Sequence, residues 1–280
     1  MRIGVTMFQT DRAMPPAALA REAEDRGFDS LYVPEHTHIP VCRRTPPPTG
    51  DEVLDEGYAR TLDPYVALAT AAAVTSRIRL GTGVALVAQH DPIALAKQVA
   101  TLDHLSGGRV VLGIGFGWNR EEMEDHGIDA ARRRDVVREH MLVMNALWAH
   151  EEASFAGEFV QLQPSWAWPK PVQQPRVPTL LGGAGGPLLF AHVAEYGDGW
   201  MPIGGAGVAR RLPELRRAVE EAGRDPAGLH VVPFGTVPDP GKLEHYEAIG
   251  VTEVVLRLPS APADDVLPVL DGYTAYLPAR

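Results

Sequence analysis

An alternation constrains this chain more than any other feature: short β-branched runs trade places with helical patterns, and Gly, Pro and Asp stand between them. Strand patterns fall at 2–8, 30–33, 78–84, 109–114, 179–181, 199–201, 229–236 and 253–258, each trailed by a helical pattern. The helix signals are specific. Gly27 is placed as a C-terminal stop, and Asp63-Pro64 and Asp91-Pro92 each supply an N-cap and a first-turn proline. Strands alternating with helices imply a parallel sheet, and eight such units in 280 residues match a (β/α)8 TIM barrel of about 250 residues better than two doubly wound domains. A dinucleotide fold is also disfavoured because Gly113-Ile114-Gly115-Phe116-Gly117 has Trp118 where the third glycine of GxGxxG would stand. The expectation is one α/β barrel domain over 1–280, with a lid loop at 40–58 and an irregular insertion at 151–177.

Charge and cysteine content narrow the partners. The 36 acidic against 26 basic residues give a net charge of −10, which argues against a surface built for nucleic-acid phosphates or anionic lipid. A small-molecule substrate is the expected partner. Cys42 is the one cysteine and cannot form an intrachain disulfide. The first residues read as a strand rather than a signal peptide, and the longest uncharged stretch, 177–194, is broken by glycine and proline. A soluble, cytoplasmic protein is expected.

In such a barrel, chemistry sits at the C-terminal ends of the strands. After the second strand comes Glu35-His36-Thr37-His38, a carboxylate beside imidazoles that can orient a ligand and move a proton near neutral pH; a solvated loop histidine is the ordinary alternative. A metal reading of His36 and His38 needs ligands from other strand ends. His90 lies several residues past the third strand, and His230 falls at the opposite face. No Gly-x-Ser-x-Gly elbow exists, and nothing near Cys42 marks it as a nucleophile. After the third strand, Gly81, Gly83 and Val84 precede an apolar wall; these glycines serve either backbone approach to a flat ligand or barrel closure. Two glycine-rich turns, around Phe116-Gly117 and at Gly182-Gly183-Ala184-Gly185-Gly186, open onto helices where free N–H groups suit a phosphate, or else simply make tight turns. Phe8, Phe116, Trp118 and Trp200 either wall a ring-shaped ligand or cap the core. The acids Glu121, Glu122, Glu124 and Asp125 read as a solvated helix face.

The run from Ala96-Lys97 through Asp103-His104-Leu105-Ser106-Gly107-Gly108-Arg109 to Gly113-Ile114-Gly115-Phe116-Gly117-Trp118 resembles the central signature of the bacterial luciferase-like monooxygenase superfamily. The resemblance extends to Tyr32-Val33-Pro34-Glu35-His36, to Trp148 with Phe155-Ala156-Gly157, and to Pro169-Lys170-Pro171 with 178–183. Within the superfamily the chain is most similar to the coenzyme F420-dependent oxidoreductases.

That resemblance implies a flavin or deazaflavin ring at the C-terminal face, with hydride transfer or, for flavin, oxygen chemistry. It implies coenzyme F420 as cofactor, with FMN and a partner flavin reductase as the alternative, and a homodimer built through helices of the first half. A flavin-binding protein without activity is the alternative of another class. Carried over by residue, Glu35 and His36 match the catalytic pair near ring and substrate, and Gly83-Val84 matches the site of a non-proline cis peptide behind the ring. Phe116 and Gly117 match the cofactor-touching loop, and Gly183, Ala184, Gly185 and Gly186 the phosphate loop. The chain departs from the pattern at Trp118, where some sugar-phosphate dehydrogenases of the family have an acidic glutamate, so that activity is not implied. Arg43 and Arg44, in the expected lid, either meet an anionic cofactor tail or lie in solvent.

Overall fold

The computed structural model describes residues 1–47, 50 and 53–278. The elements run β1 (Arg2–Thr6), α1 (Pro16–Arg26), β2 (Ser30–Val33), α2 (Pro64–Ala72), β3 (Arg79–Thr82), α3 (Pro92–Ser106), β4 (Val110–Ile114), α4 (Arg120–Asp125) and α5 (Arg133–Ala149). There follow β5 (Glu152–Ala156), β6 (Gln161–Trp166), β7 (Thr179–Gly182), α6 (Pro187–Tyr196), β8 (Gly199–Met201), α7 (Val208–Glu221), β9 (His230–Val231), β10 (Phe234–Thr236), α8 (Pro240–Ile249), β11 (Glu253–Arg257) and α9 (Ala263–Tyr273).

The parallel sheet runs β10-β11-β1-β2-β3-β4-β7-β8-β9. Its two ends are one interrupted strand. The sequence pattern over 229–236 predicts a continuous seventh strand, but Pro233 has no N–H to donate and splits it into β9 and β10. The split strand still bonds on both sides: Val232 and Phe234 donate to the carbonyls of Trp200 and Pro202, and Val255 donates to that of Pro233. The sheet therefore closes into a (β/α)8 barrel. Several barrel strands, such as β2, β4 and β7, are buried along their whole length, as a parallel sheet covered on both faces requires.

Two apolar layers fill the molecule. One lies between barrel and helices; the other fills the lumen with Tyr32, Val111, Leu180, Met201, Val232, Phe234 and Val255. Small residues admit them: a Cβ on Gly83 would strike the Phe234 ring, and one on Gly113 would strike the Thr82 carbonyl. The N-terminal end is bolted by buried charge. Glu253 lies within 3.3 Å of Arg2 and 3.6 Å of Arg79 and accepts from Ser30. Glu24 of α1 accepts the amides of Ser76, Arg77 and Ile78 at 3.0, 2.6 and 2.7 Å, which fixes where β3 begins. Burial acts to raise the Glu24 pKa, but these amides and the Arg77 charge prevail and lower it.

The insertion at 151–177 is not irregular throughout. Its first half is an antiparallel hairpin, β5 paired with β6, whose Ala153 and Leu162 are buried against the outer core. Its alternation is hard to see because the strands carry Pro164 and turn at Gly157.

Candidate active site

Strand ends at the C-terminal rim bring the second, third, fourth and fifth barrel strands' loops together. After β2 the chain turns at Pro34, and Glu35 and His36 are both buried, at 3% and 9% exposure. The sequence pairs them as one acid–imidazole dyad; the structure separates them. Both Glu35 oxygens are taken by the strand-three loop, from the Leu86 amide at 2.6 Å and at His90 Nε2 at 2.7 Å. Glu35 thus holds the segment that follows the cis peptide Gly83–Val84. Burial acts to lower the His90 pKa, but the hydrogen bond and charge of Glu35, with Asp63 behind them, raise it.

The acid beside His36 is Glu122, on the short helix α4. Glu122 Oε2 lies 2.8 Å from His36 Nδ1, and its Oε1 accepts the Thr37 amide at 3.2 Å. On the other side of the imidazole, the Trp118 indole N–H donates to Nε2 at 3.3 Å. Three rings surround this histidine or its neighbours: Tyr58 at 5.2 Å and Trp118 at 5.8 Å from the His36 centroid, with Phe8 at 4.9 Å from Tyr58.

The acidic run on α4 is a solvated face only in its second half: Glu124 and Asp125 are exposed, whereas Glu121 and Glu122 are buried. Gly117, at φ 74°, turns the chain out of β4, and Asn119 caps α4 so that its first turn points back across the rim. Glu121 accepts from the Thr45 hydroxyl at 2.7 Å and the Arg44 amide at 3.0 Å; these bonds hold its carboxyl down to about 2. Asp125 lies 2.9 Å from His38 Nε2, and His126 Nε2 lies 2.7 Å from the Thr37 hydroxyl. Burial, with His38 next, pushes His126 down. Sequence reasoning missed Glu122 because its charge run resembled a surface; the available signal was that α4 starts straight after a strand on the catalytic face.

Part of the expected lid is tied down. Arg43 stacks over Trp118 at 5.6 Å, and Arg44 lies 3.5 Å from Glu121. A short 3-10 helix, Glu56–Arg60, presents Tyr58 to His36 and is anchored by Arg60 to Asp11 and by Glu56 to Arg12. Residues 48, 49, 51 and 52 of the expected lid lie outside the described residues.

Val84 and the glycines meet at the top of the lumen. A Cβ on Gly115 or Gly182 would strike the Val84 side chain. In the loop after β7, Trp200 donates to the Gly183 carbonyl at 2.9 Å; this indole is 1% exposed and is a loop anchor rather than a ligand wall. Ala184 is exposed, and Gly183, at φ 132°, and Gly186 have open space where a Cβ would stand. Gly185 does not: its Cβ would lie 2.7 Å from Trp200 and 2.9 Å from Phe190.

Beside this loop, the Arg134 guanidinium lies 4.1 Å over the Phe116 ring, whose other neighbour is His192 at 5.7 Å. Arg134 Nη1, His192 Nε2 and the Tyr196 hydroxyl are buried with no hydrogen-bond partner among the described residues. Burial, with the Arg134 charge second, pushes His192 down. Buried groups of this kind cost about 1–3 kcal/mol each when unpaired. A rim with such groups, glycine amides and an oriented imidazole can hold an anion-tailed planar molecule and exchange a proton with a second one.

Comparison with known proteins agrees with this geometry. The sequence model of the luciferase-like monooxygenase family matches residues 9–238. An uncharacterised protein of Mycobacterium tuberculosis is 50% identical over 281 residues, covering 99% of each chain. An F420-dependent glucose-6-phosphate dehydrogenase of Kineococcus radiotolerans is 30% identical over 222 residues, 74% of this chain and 59% of that protein. Among solved structures, an F420-dependent secondary alcohol dehydrogenase with an F420–acetone adduct superposes with a TM-score of 0.77, covering 99% of this chain and 98% of that one; at 20% identity it speaks for the fold alone.

Proposed function

Because the chain belongs to the luciferase-like monooxygenase family, we propose that it is an oxidoreductase that passes hydride between coenzyme F420 and a small organic substrate, with His36 as its proton-transfer group. The observation that carries this reading is His36 itself, a buried imidazole at the catalytic rim with one nitrogen on a buried carboxylate. A histidine so oriented suits proton transfer near neutral pH.

The residues at the rim fit such a cofactor. The orphaned Arg134 Nη1 and His192 Nε2 beside Phe116 provide for an anionic tail, and the open space at Gly183 and Gly186 leaves room for its phosphate, although the Gly183 N–H itself is taken by the Met201 carbonyl at 3.3 Å. Val84, Phe116 and Gly117 would hold the ring, and residues 183–186 its phosphate. When bound, the deazaflavin supplies the hydride acceptor or donor. His36 takes or returns the substrate proton, while Glu35 keeps the strand-three loop and Val84 in place through Leu86 and His90.

The test is turnover of oxidised F420 with a panel of alcohols, and of reduced F420 with enones and imines, for the wild type and His36→Asn. The expected result is turnover in the wild type and at least a hundredfold loss in the variant. Undiminished turnover by His36→Asn refutes the assignment. Turnover only with reduced FMN and oxygen, supplied by a reductase, would make the chain a monooxygenase, and binding without any turnover would make it a cofactor carrier. A homodimer through α2 and α3 is part of the same reading: Val66, Ala69, Thr70 and Ala73 leave a small-residue face exposed on and just past α2, and Ile93 and Leu105 are 42% and 70% exposed on α3.

A further inference from the structure

The protonation state of His36 is fixed by its neighbours. An indole N–H can only donate, so the Trp118 contact requires a lone pair on His36 Nε2. The Thr37 amide can also only donate, so Glu122 Oε1 is an acceptor there, and Oε2 is left to accept from His36 Nδ1. Both carboxylate oxygens are then satisfied by donors, as a carboxylate buried to 1% exposure requires. The one arrangement that satisfies all three contacts is a neutral imidazole with its hydrogen on Nδ1.

We propose that Glu122 is the positioning residue of the active site. It holds His36 in the Nδ1–H tautomer, so that Nε2 is the proton-accepting atom and the Trp118 indole is its placeholder until a substrate hydroxyl takes that position. The inference rests on the proposed role of His36. In the step it prepares, the substrate O–H bond breaks and a bond from hydrogen to Nε2 forms. The imidazolium so produced keeps its Nδ1–H on the Glu122 carboxylate, which stabilises the new charge. Glu122 itself touches neither substrate nor cofactor in this account.

Several features single out Glu122 from an ordinary surface acid. It comes from a helix of six residues whose Asn119 cap accepts the Glu122 amide at 3.5 Å, so its backbone is placed by α4 and not by the loop it holds. Its neighbour Glu121 ties down Arg44 and Thr45, and Asp125 pairs with His38, so the same helix fixes the loop that follows His36. Arg43, stacked on Trp118, adds a contact that keeps the indole over Nε2.

The test reads the tautomer directly. Protein labelled with 15N at histidine, purified without cofactor, is compared by long-range 1H–15N correlation for the wild type, Glu122→Gln, Glu122→Asp and Trp118→Phe, with His36→Asn to assign the signal. The expected wild-type signal shows a protonated Nδ1 and a bare Nε2. Trp118→Phe is expected to keep that pattern. Glu122→Gln, whose amide can donate as well as accept, is expected to reduce the Nδ1–H form from dominant to minor, and Glu122→Asp to restore part of it. A wild-type Nε2–H tautomer overturns the proposal, as does a Glu122→Gln spectrum identical to the wild type or a switch caused by Trp118→Phe alone. These readings need no turnover, so they separate a wrong role for Glu122 from a wrong role for His36, which the F420 assays decide.

Discussion

Gly185 and Gly186 look interchangeable in the sequence, and the structure gives them different work. Gly185 is packed under Trp200 and Phe190, two ring systems that cannot give way, whereas Gly186 has extended backbone, at φ 173°, and open space around it. Gly185→Val is therefore expected to lower thermal stability by several degrees, since overpacking a core costs about 1–3 kcal/mol. Gly186→Val is expected to leave the melting temperature near the wild-type value and to weaken F420 binding about tenfold or more, the effect of losing one charge-assisted hydrogen bond. Calorimetry and cofactor titration on both variants check this; a Gly186→Val protein with wild-type affinity takes that glycine out of the site. His90 gives a second single-residue test. Its pKa is raised in the folded state, so the pair with Glu35 adds stability that is fully present below the unfolded value of about 6.5 and is lost as pH rises through the folded one. The melting-temperature advantage of the wild type over His90→Gln should accordingly be larger near pH 5.5 than near pH 8.5, and equal advantages at both would discard the pair.

Helix α4 shows what an element does that its residues one by one do not reveal. Glu121, Glu122 and Asp125 face the rim, and each holds a different point of the loop that carries His36. Because the Glu121 carboxyl is held near 2, it adds stability above its unfolded range, about 4.3, that disappears as pH falls through the folded value. Glu121→Gln is expected to speed hydrogen exchange at the Arg44 and Thr45 amides at pH 7 and to erase most of the difference from the wild type near pH 2; unchanged exchange at pH 7 would mean that the loop is held elsewhere. This element also marks how far the sequence could be read. The barrel was legible because its signals are local: Gly27 stops α1 with φ 94°, and Asp63-Pro64 and Asp91-Pro92 start α2 and α3. The position of His36 at the C-terminal rim was legible from its place after β2. Its partner was not, because the contact spans 86 residues and nothing in a run of acids says which one turns inward. For the same reason Glu35 was read as partner to His36, although both of its oxygens go to the strand-three loop.

At the scale of the whole molecule, the two ends of the barrel divide the labour. The N-terminal end is closed by Glu253 with Arg2, Arg79 and Ser30, groups that serve stability, and the C-terminal end gathers the imidazole, the glycine loop and Arg134, whose Nη1 has no hydrogen-bond partner among the described residues. Among the described residues no helix is long and apolar enough to cross a membrane. The exposed face of α2 and α3 is expected to pair with a second copy: sedimentation at tens of micromolar should show a dimer, and Val66→Glu with Leu105→Glu should return it to a monomer, whereas a wild-type monomer would reject this interface. The cofactor decides the rest. Titration of the purified protein with oxidised F420 and, separately, with FMN, followed by calorimetry, is expected to give micromolar or tighter binding of F420 and distinctly weaker binding of FMN, with Arg134→Ala reducing the F420 affinity. Binding of FMN with none of F420, or binding of neither, would contradict the proposed function.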